Sequence, residues 1–252
     1  MTTAERTHDA EPDFKSPRTP VQITLPQTLI IRILSALIVI LVVAHMAFSI
    51  NRYMLHASFF AADNLYVIFD LWAEASIPSW YSVSLLLACS ALLAVIAVAK
   101  QQATDRYARH WIGLALIFLA LSIDDAADLH GHTSYKLQEM FETGGFFAYA
   151  WVIPAAIACL AVGLAYLRFL NDLPPATRWR FVIGGVLFLT GALLMEMIEG
   201  RYDTQHGVEN MPYRIMVAIE ESLEMAGIVI FISALLTYLS GLAEKVEIRI
   251  RP

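Results

Sequence analysis

Cysteine is scarce in this 252-residue chain: there are two, Cys89 and Cys159, each inside an apolar run. They cannot form a disulfide framework, and no C-x-x-C zinc or redox pair is present. Charge is scarce as well. Asp, Glu, Lys and Arg make up 16% of the residues, against about 25% in ordinary soluble domains. The net charge is −6 and no basic stripe interrupts it, which excludes nucleic acid as a partner. The hydrolase signatures G-x-S-x-G and H-E-x-x-H are missing. So are an E-E-x3-R intramembrane-protease pattern and the histidine-rich boxes of membrane desaturases. No secretory signal is visible: the first apolar run is too long for one, follows a polar stretch and lacks a small-residue cleavage site.

Apolar residues are what the chain has in excess, at 58%. They fall in six runs of roughly 20 residues, the length that crosses a bilayer core. Alternating ten-residue segments of a membrane β-barrel are absent. The expectation is an all-α, polytopic membrane protein, a bundle of six transmembrane helices over residues 28–50, 77–99, 107–129, 144–169, 179–199 and 215–243. Residues 1–27 are polar, with Pro12, Pro17, Pro20 and Pro26, and read as a disordered cytoplasmic tail. Residues 244–252 read as a second cytoplasmic tail. Residues 51–76 are too polar to span and are expected as an interfacial helix or a packed loop. Pro154 is expected to kink the fourth span. Gly184, Gly185 and Gly191 mark close packing of the fifth.

Orientation follows from the distribution of Lys and Arg. With a cytoplasmic N-terminus, 13 of the 17 basic residues fall in inner segments, leaving Arg52, Lys136, Arg201 and Arg214 outside. Both termini are then cytoplasmic, in the cell inner (plasma) membrane. The opposite side, facing the periplasm or exterior, collects 15 of the 23 carboxylates and a formal charge of −11.

Several of these acids are deep. Arg109 to Asp125 and Arg180 to Glu196 each cover sixteen residues, ~24 Å of helix, in a hydrocarbon core about 30 Å thick. Pairs three or four residues apart share a helix face: Asp124 and Asp125 each with Asp128, Glu196 with Glu199, and Glu220 and Glu221 each with Glu224. Histidines lie near them: His130 and His132 after the third span, His206 in the third outer loop. His45 reads as a packed, hydrogen-bonded residue. Asp124, Asp125 and Asp128 sit at a helix C-terminus, where the dipole opposes acids, so they are not there to cap that end. Glu220 and Glu221 stand near the start of the sixth span, where the dipole favours acids, so capping alone could account for them.

Intramembrane acids are costly, face the bundle interior and are functional by default. So many converging carboxylates need protons, arginine or a bound cation, and only Arg201 and Arg214 are at hand. Carboxylate-rich sites with a few imidazoles suit Fe, Mn or Zn, and helical bundles build such sites from inward acids and histidines. The expected metal ligands are Asp124, Asp125, Asp128, His130, His132, Glu196, Glu199, His206, Glu220, Glu221 and Glu224, holding one or more divalent metal ions. A metal-dependent hydrolase or oxidoreductase acting on a lipid or other hydrophobic substrate is the leading reading. A cation or proton transport or relay protein is the alternative, although Thr190, Ser233, Thr237 and Ser240 are the only polar atoms it could use toward the inner side. A third is a non-catalytic subunit of a membrane complex.

Leu121-Ser122-Ile123-Asp124-Asp125 with His130, the string Glu220-Glu221-Ser222-Leu223-Glu224-Met225-Ala226-Gly227, and Pro78-Ser79-Trp80-Tyr81-Ser82 resemble a group of uncharacterised bacterial multi-pass membrane proteins. Those share L-S-x-D-[DE]-x4-H and E-E-x-x-E-M-x-G elements. The resemblance implies a helical membrane fold and no activity. It points to Asp124, Asp125, His130, Glu220, Glu221 and Glu224.

Overall fold

The computed structural model describes residues 26–57 and 62–242. Both tails expected from the sequence lie outside these residues, apart from Pro26 and Gln27. The described chain is helical throughout, without a strand. Its helices are α1 (Gln27–Ile50), α2 (Ala62–Ile68), α3 (Ile77–Gln102), α4 (Ala108–Ala127), α5 (Leu129–Phe141), α6 (Val152–Asp172), α7 (Pro175–Leu189), α8 (Glu196–His206) and α9 (Met211–Leu242). Six helical stretches among the described residues are long and apolar enough to cross a membrane: α1 with its extension to Leu55, α3, α4, α6, α7 continued through α8, and α9. The fold is the all-α multi-pass bundle that the hydropathy implied.

The helix ends carry recognisable local causes. Ser76 caps α3 by accepting the Ser79 N–H at 3.2 Å, with Pro78 in the first turn, where its missing N–H costs nothing. Pro175 opens α7 in the same way. Pro154 does not kink α6: the helix starts at Val152, so the proline sits in its first turn. The irregularity falls instead in the fifth span, where Thr190–Met195 form a π-helical turn between α7 and α8. One extra residue in a turn rotates everything after it by about 100°.

The long helix α9 is the axis of the bundle. It packs against α1, α3, α7 and α8, and α3 pairs with α4. Met225, Ala234 and Leu235 are fully enclosed on it. Glycines set the α7–α9 distance: a Cβ on Gly227 would lie 2.6 Å from the Gly184 carbonyl oxygen and 2.7 Å from the Phe188 nitrogen. Without a hydrophobic force between helices in lipid, such close backbone contact supplies the packing. By contrast α6 stands at the edge with Leu160 and Leu164 65% and 62% exposed, a surface suited to acyl chains rather than water.

Of residues 51–76, the structure describes 51–57 and 62–76, and most of these are exposed or half-buried. A π-turn over Asn51–Leu55 continues α1 and α2 is short. Asp70 and Leu71 are buried.

Candidate metal centre

The site forms at the end of the bundle where α4 stops and α9 begins. After Ala127, Asp128 adopts φ 49°, ψ 46°, a left-handed conformation that Asp tolerates better than most residues. The chain bends and α5 starts at once. Asp128 Oδ1 accepts the Gly131 N–H at 3.1 Å. Asp128 therefore does cap a helix, but the one that follows it, a role hidden while residues 130–141 lay outside the expected helices. The bend brings His130 back over the end of α4. His130 Nδ1 lies 3.1 Å from Asp124 Oδ2 and Nε2 faces Asp128 Oδ1 at 4.0 Å. A carboxylate on one ring nitrogen orients the imidazole and leaves the other for a metal.

The loop before α3 supplies a third group. Glu74, Asp128 and His130 each bring a ligand-type atom within 4.8 Å of the others. Burial works against charge on His130, but Asp124 against Nδ1, with Glu196 and Glu74 nearby, hold its pKa up to about 9. Desolvation pushes the Glu74 carboxyl up to about 7, with Asp125, Asp128 and Asp124 adding to the shift and His130 opposing it. With no metal, the protonated ring balances these acids; a metal at Nε2 would displace that proton.

Behind this triad lies a wall of carboxylates. Glu199 and Glu220 are 2% and 8% exposed. Glu220 is within electrostatic reach of Glu196, Glu199, Glu221 and Glu224. Glu221 and Glu224 both reach Asp125, and Glu196 reaches His130 and Asp128. Two wall oxygens, Asp125 Oδ2 and Glu199 Oε1, are buried without a hydrogen-bond donor. An orphaned buried carboxylate oxygen is expensive, and a cation is one way to satisfy it. The wall is made possible by the π-turn, which sets the facing of Glu196 and Glu199, and by Gly191, where a Cβ would lie 2.6 Å from Glu224 Cγ. Glu220 and Glu221 are not at a helix start. With α9 beginning at Met211, they are about two and a half turns inside it, so capping does not explain them.

The arginines relieve this wall little: Arg214 is within electrostatic reach of Glu199 but makes its direct contacts elsewhere. Arg214 is buried and paired elsewhere, with Asp70 at 3.3 Å and Glu209 at 3.5 Å, its guanidinium 4.8 Å from the Trp72 ring. Arg201 lies over Phe146 at 4.5 Å. His45 is packed as expected: its Nδ1 accepts the Leu71 N–H at 3.1 Å and its Nε2 lies 3.3 Å from the Arg214 carbonyl. Burial works to raise the Asp70 carboxyl, but the Arg214 guanidinium and the Trp72 amide hold it below its usual range.

Of the residues singled out from sequence, Asp128 and His130 meet directly, Asp124 orients His130, and Asp125, Glu196, Glu199, Glu220, Glu221 and Glu224 form the adjoining wall. His132 sits at the rim, largely exposed, 3.4 Å from Asp128 Oδ2. His206 stands apart, exposed and stacked on Tyr202 at 4.4 Å. Glu74 was not singled out, although it closes the acidic stretch Phe69–Glu74 that precedes α3. Trp151, whose ring lies 5.1 Å from His130, and Ser82, beside Asp125, also line the site. So does Tyr213, next to Glu199. Its hydroxyl lies 2.8 Å from that of Tyr149, which donates to Asp203 Oδ2 at 3.3 Å. Aromatic residues in a membrane protein carry no signal that distinguishes such positions from interfacial ones.

No curated protein and no solved structure matches the chain. A family profile does, over residues 33–239, a range that takes in Glu74, the α4–α5 bend, the π-turn and all three α9 acids. The chain belongs to the family described as Domain of unknown function (DUF8692).

Proposed function

We propose that this membrane protein holds a divalent metal ion, Fe, Mn or Zn, at one end of its bundle, with Glu74, Asp128 and His130 as primary ligands. Asp124 orients His130. The carboxylates Asp125, Glu196, Glu199, Glu220, Glu221 and Glu224 offer further oxygen ligands, room for a second ion, or a general base for metal-activated water or oxygen. The substrate class that suits a site at the end of a membrane bundle is a lipid or another hydrophobic molecule that enters from the bilayer. The observation that carries the reading is the meeting, within 4.8 Å, of ligand atoms from three chain positions, one of them an imidazole already held by a second carboxylate.

A transport role has less support. The four polar residues it would use toward the other end are already engaged: Thr190 donates to the Val186 carbonyl and Ser240 to the Thr237 carbonyl, while the Ser233 and Thr237 hydroxyls accept from Gln27.

The test is elemental analysis of the purified, metal-reconstituted protein. Stoichiometric Fe, Mn or Zn is expected in the wild type. Asp128→Asn should keep the α5 cap and hence the thermal midpoint, yet weaken metal binding roughly ten- to a hundredfold, with Glu74→Gln behaving alike. No retained metal in the wild type, or unchanged metal in both variants, sinks the proposal.

A further inference from the structure

At the side of the bundle away from the carboxylate wall, α1 and α7 flank α9 and leave a groove of about 700 Å³ between them. Its floor is one face of α9, through Ala226, Val229 and Ile230, and its α1 wall runs from Ile31 to Val43, ~18 Å of helix. The rims are apolar and open: Val39, Val43 and Ile183 are 60%, 61% and 49% exposed. In a bilayer such a trough is filled by hydrocarbon.

The groove is not apolar along its whole length. Arg180 and Ser233 line it at one end. Arg180 Nη1 donates to Thr237 Oγ1 at 2.6 Å, and Thr237 is held in turn by Gln27, the first residue of α1, at 2.8 Å. That single bond leaves the remaining donors of a five-donor guanidinium with no carboxylate partner among the described residues. Trp179 beside it is 61% exposed. A fixed cation at the helix-end level, an exposed indole and a trough of acyl-chain length together match one occupant by charge and shape.

We propose that this groove is a lipid site taking one acyl chain of an anionic phospholipid, its phosphate paired with Arg180. The site lies on the opposite face of α9 from the carboxylates and stands or falls independently of the metal reading. The experiment is native mass spectrometry of the full chain in detergent, titrated with phosphatidylglycerol or with phosphatidylcholine of the same chains. Preferential retention of one phosphatidylglycerol is expected. Arg180→Gln should reduce that preference about fivefold, the effect of one arginine near an anionic headgroup. Val39→Trp, at an exposed rim position that folding does not depend on, should lower retention of both lipids. Equal retention of the two lipids by the wild type overturns the proposal. So does an unchanged preference in Arg180→Gln, or undiminished retention in Val39→Trp.

Discussion

Two charged groups near the α9 start have found different compensations. His130 sits between two carboxylates, and Arg214 is matched by Asp70 and Glu209. Asp70 is the group whose worth can be read from pH. Its carboxyl titrates below the ordinary range in the fold and near 3.9 in the unfolded chain. A depressed carboxylate contributes stability that is complete above the unfolded value and is lost as pH falls through the folded one. The thermal midpoint in detergent should therefore fall steeply below about pH 4. Asp70→Asn should remove this component of the acid sensitivity. It should also destabilise the protein at neutral pH by up to about 3 kcal/mol, because the buried Arg214 keeps only the exposed Glu209, at 3.5 Å. A variant as stable as the wild type at pH 7 would show that the pair holds nothing together.

Two helical irregularities and one glycine contact shape the elements. The left-handed turn at Asp128 converts the end of one helix into the start of another and so folds His130 onto Asp124. The π-turn at Thr190–Met195 rotates α8 so that its acids meet those of α9. The Gly184–Gly227 crossing sets how near α7 stands to α9. A methyl at Gly227 would meet backbone atoms at 2.6 and 2.7 Å, so Gly227→Ala should cost about 1–3 kcal/mol as the helices are forced apart. Gly163→Ala, which would meet nothing within 4 Å, is the control. Equal thermal midpoints for the two variants would contradict this account of the crossing.

Across the whole molecule, carboxylates gather at one end of the bundle and lysine and arginine favour the other. By the positive-inside rule the acidic end is expected outside, and labelling tests it. In a background of Cys89→Ala and Cys159→Ala, an impermeant maleimide on intact cells should label Gln205→Cys freely and Gln102→Cys only after lysis. Both positions are exposed, each at the C-terminal end of its span, and the two spans run in opposite directions. The reverse pattern would turn the metal proposal to face the cytoplasm.

The amino-acid sequence by itself determined the class of fold and the chemistry available to it. Six apolar runs can satisfy their backbone groups in lipid only as helices, and acids three and four residues apart must share a helix face. Both facts are local, and both were legible. What the sequence could not decide is which of those acids meet. That depends on a bend at one aspartate, a π-turn, and a loop that returns Glu74 to the mouth of the site, none of which leaves a periodic signature. Side-chain convergence is a property of how helices are rotated and spaced against one another, and a single extra residue in a turn changes that rotation by about 100°. For this reason the tertiary structure alone joined Glu74 to Asp128 and His130, left His206 apart, and gave Arg214 to Asp70.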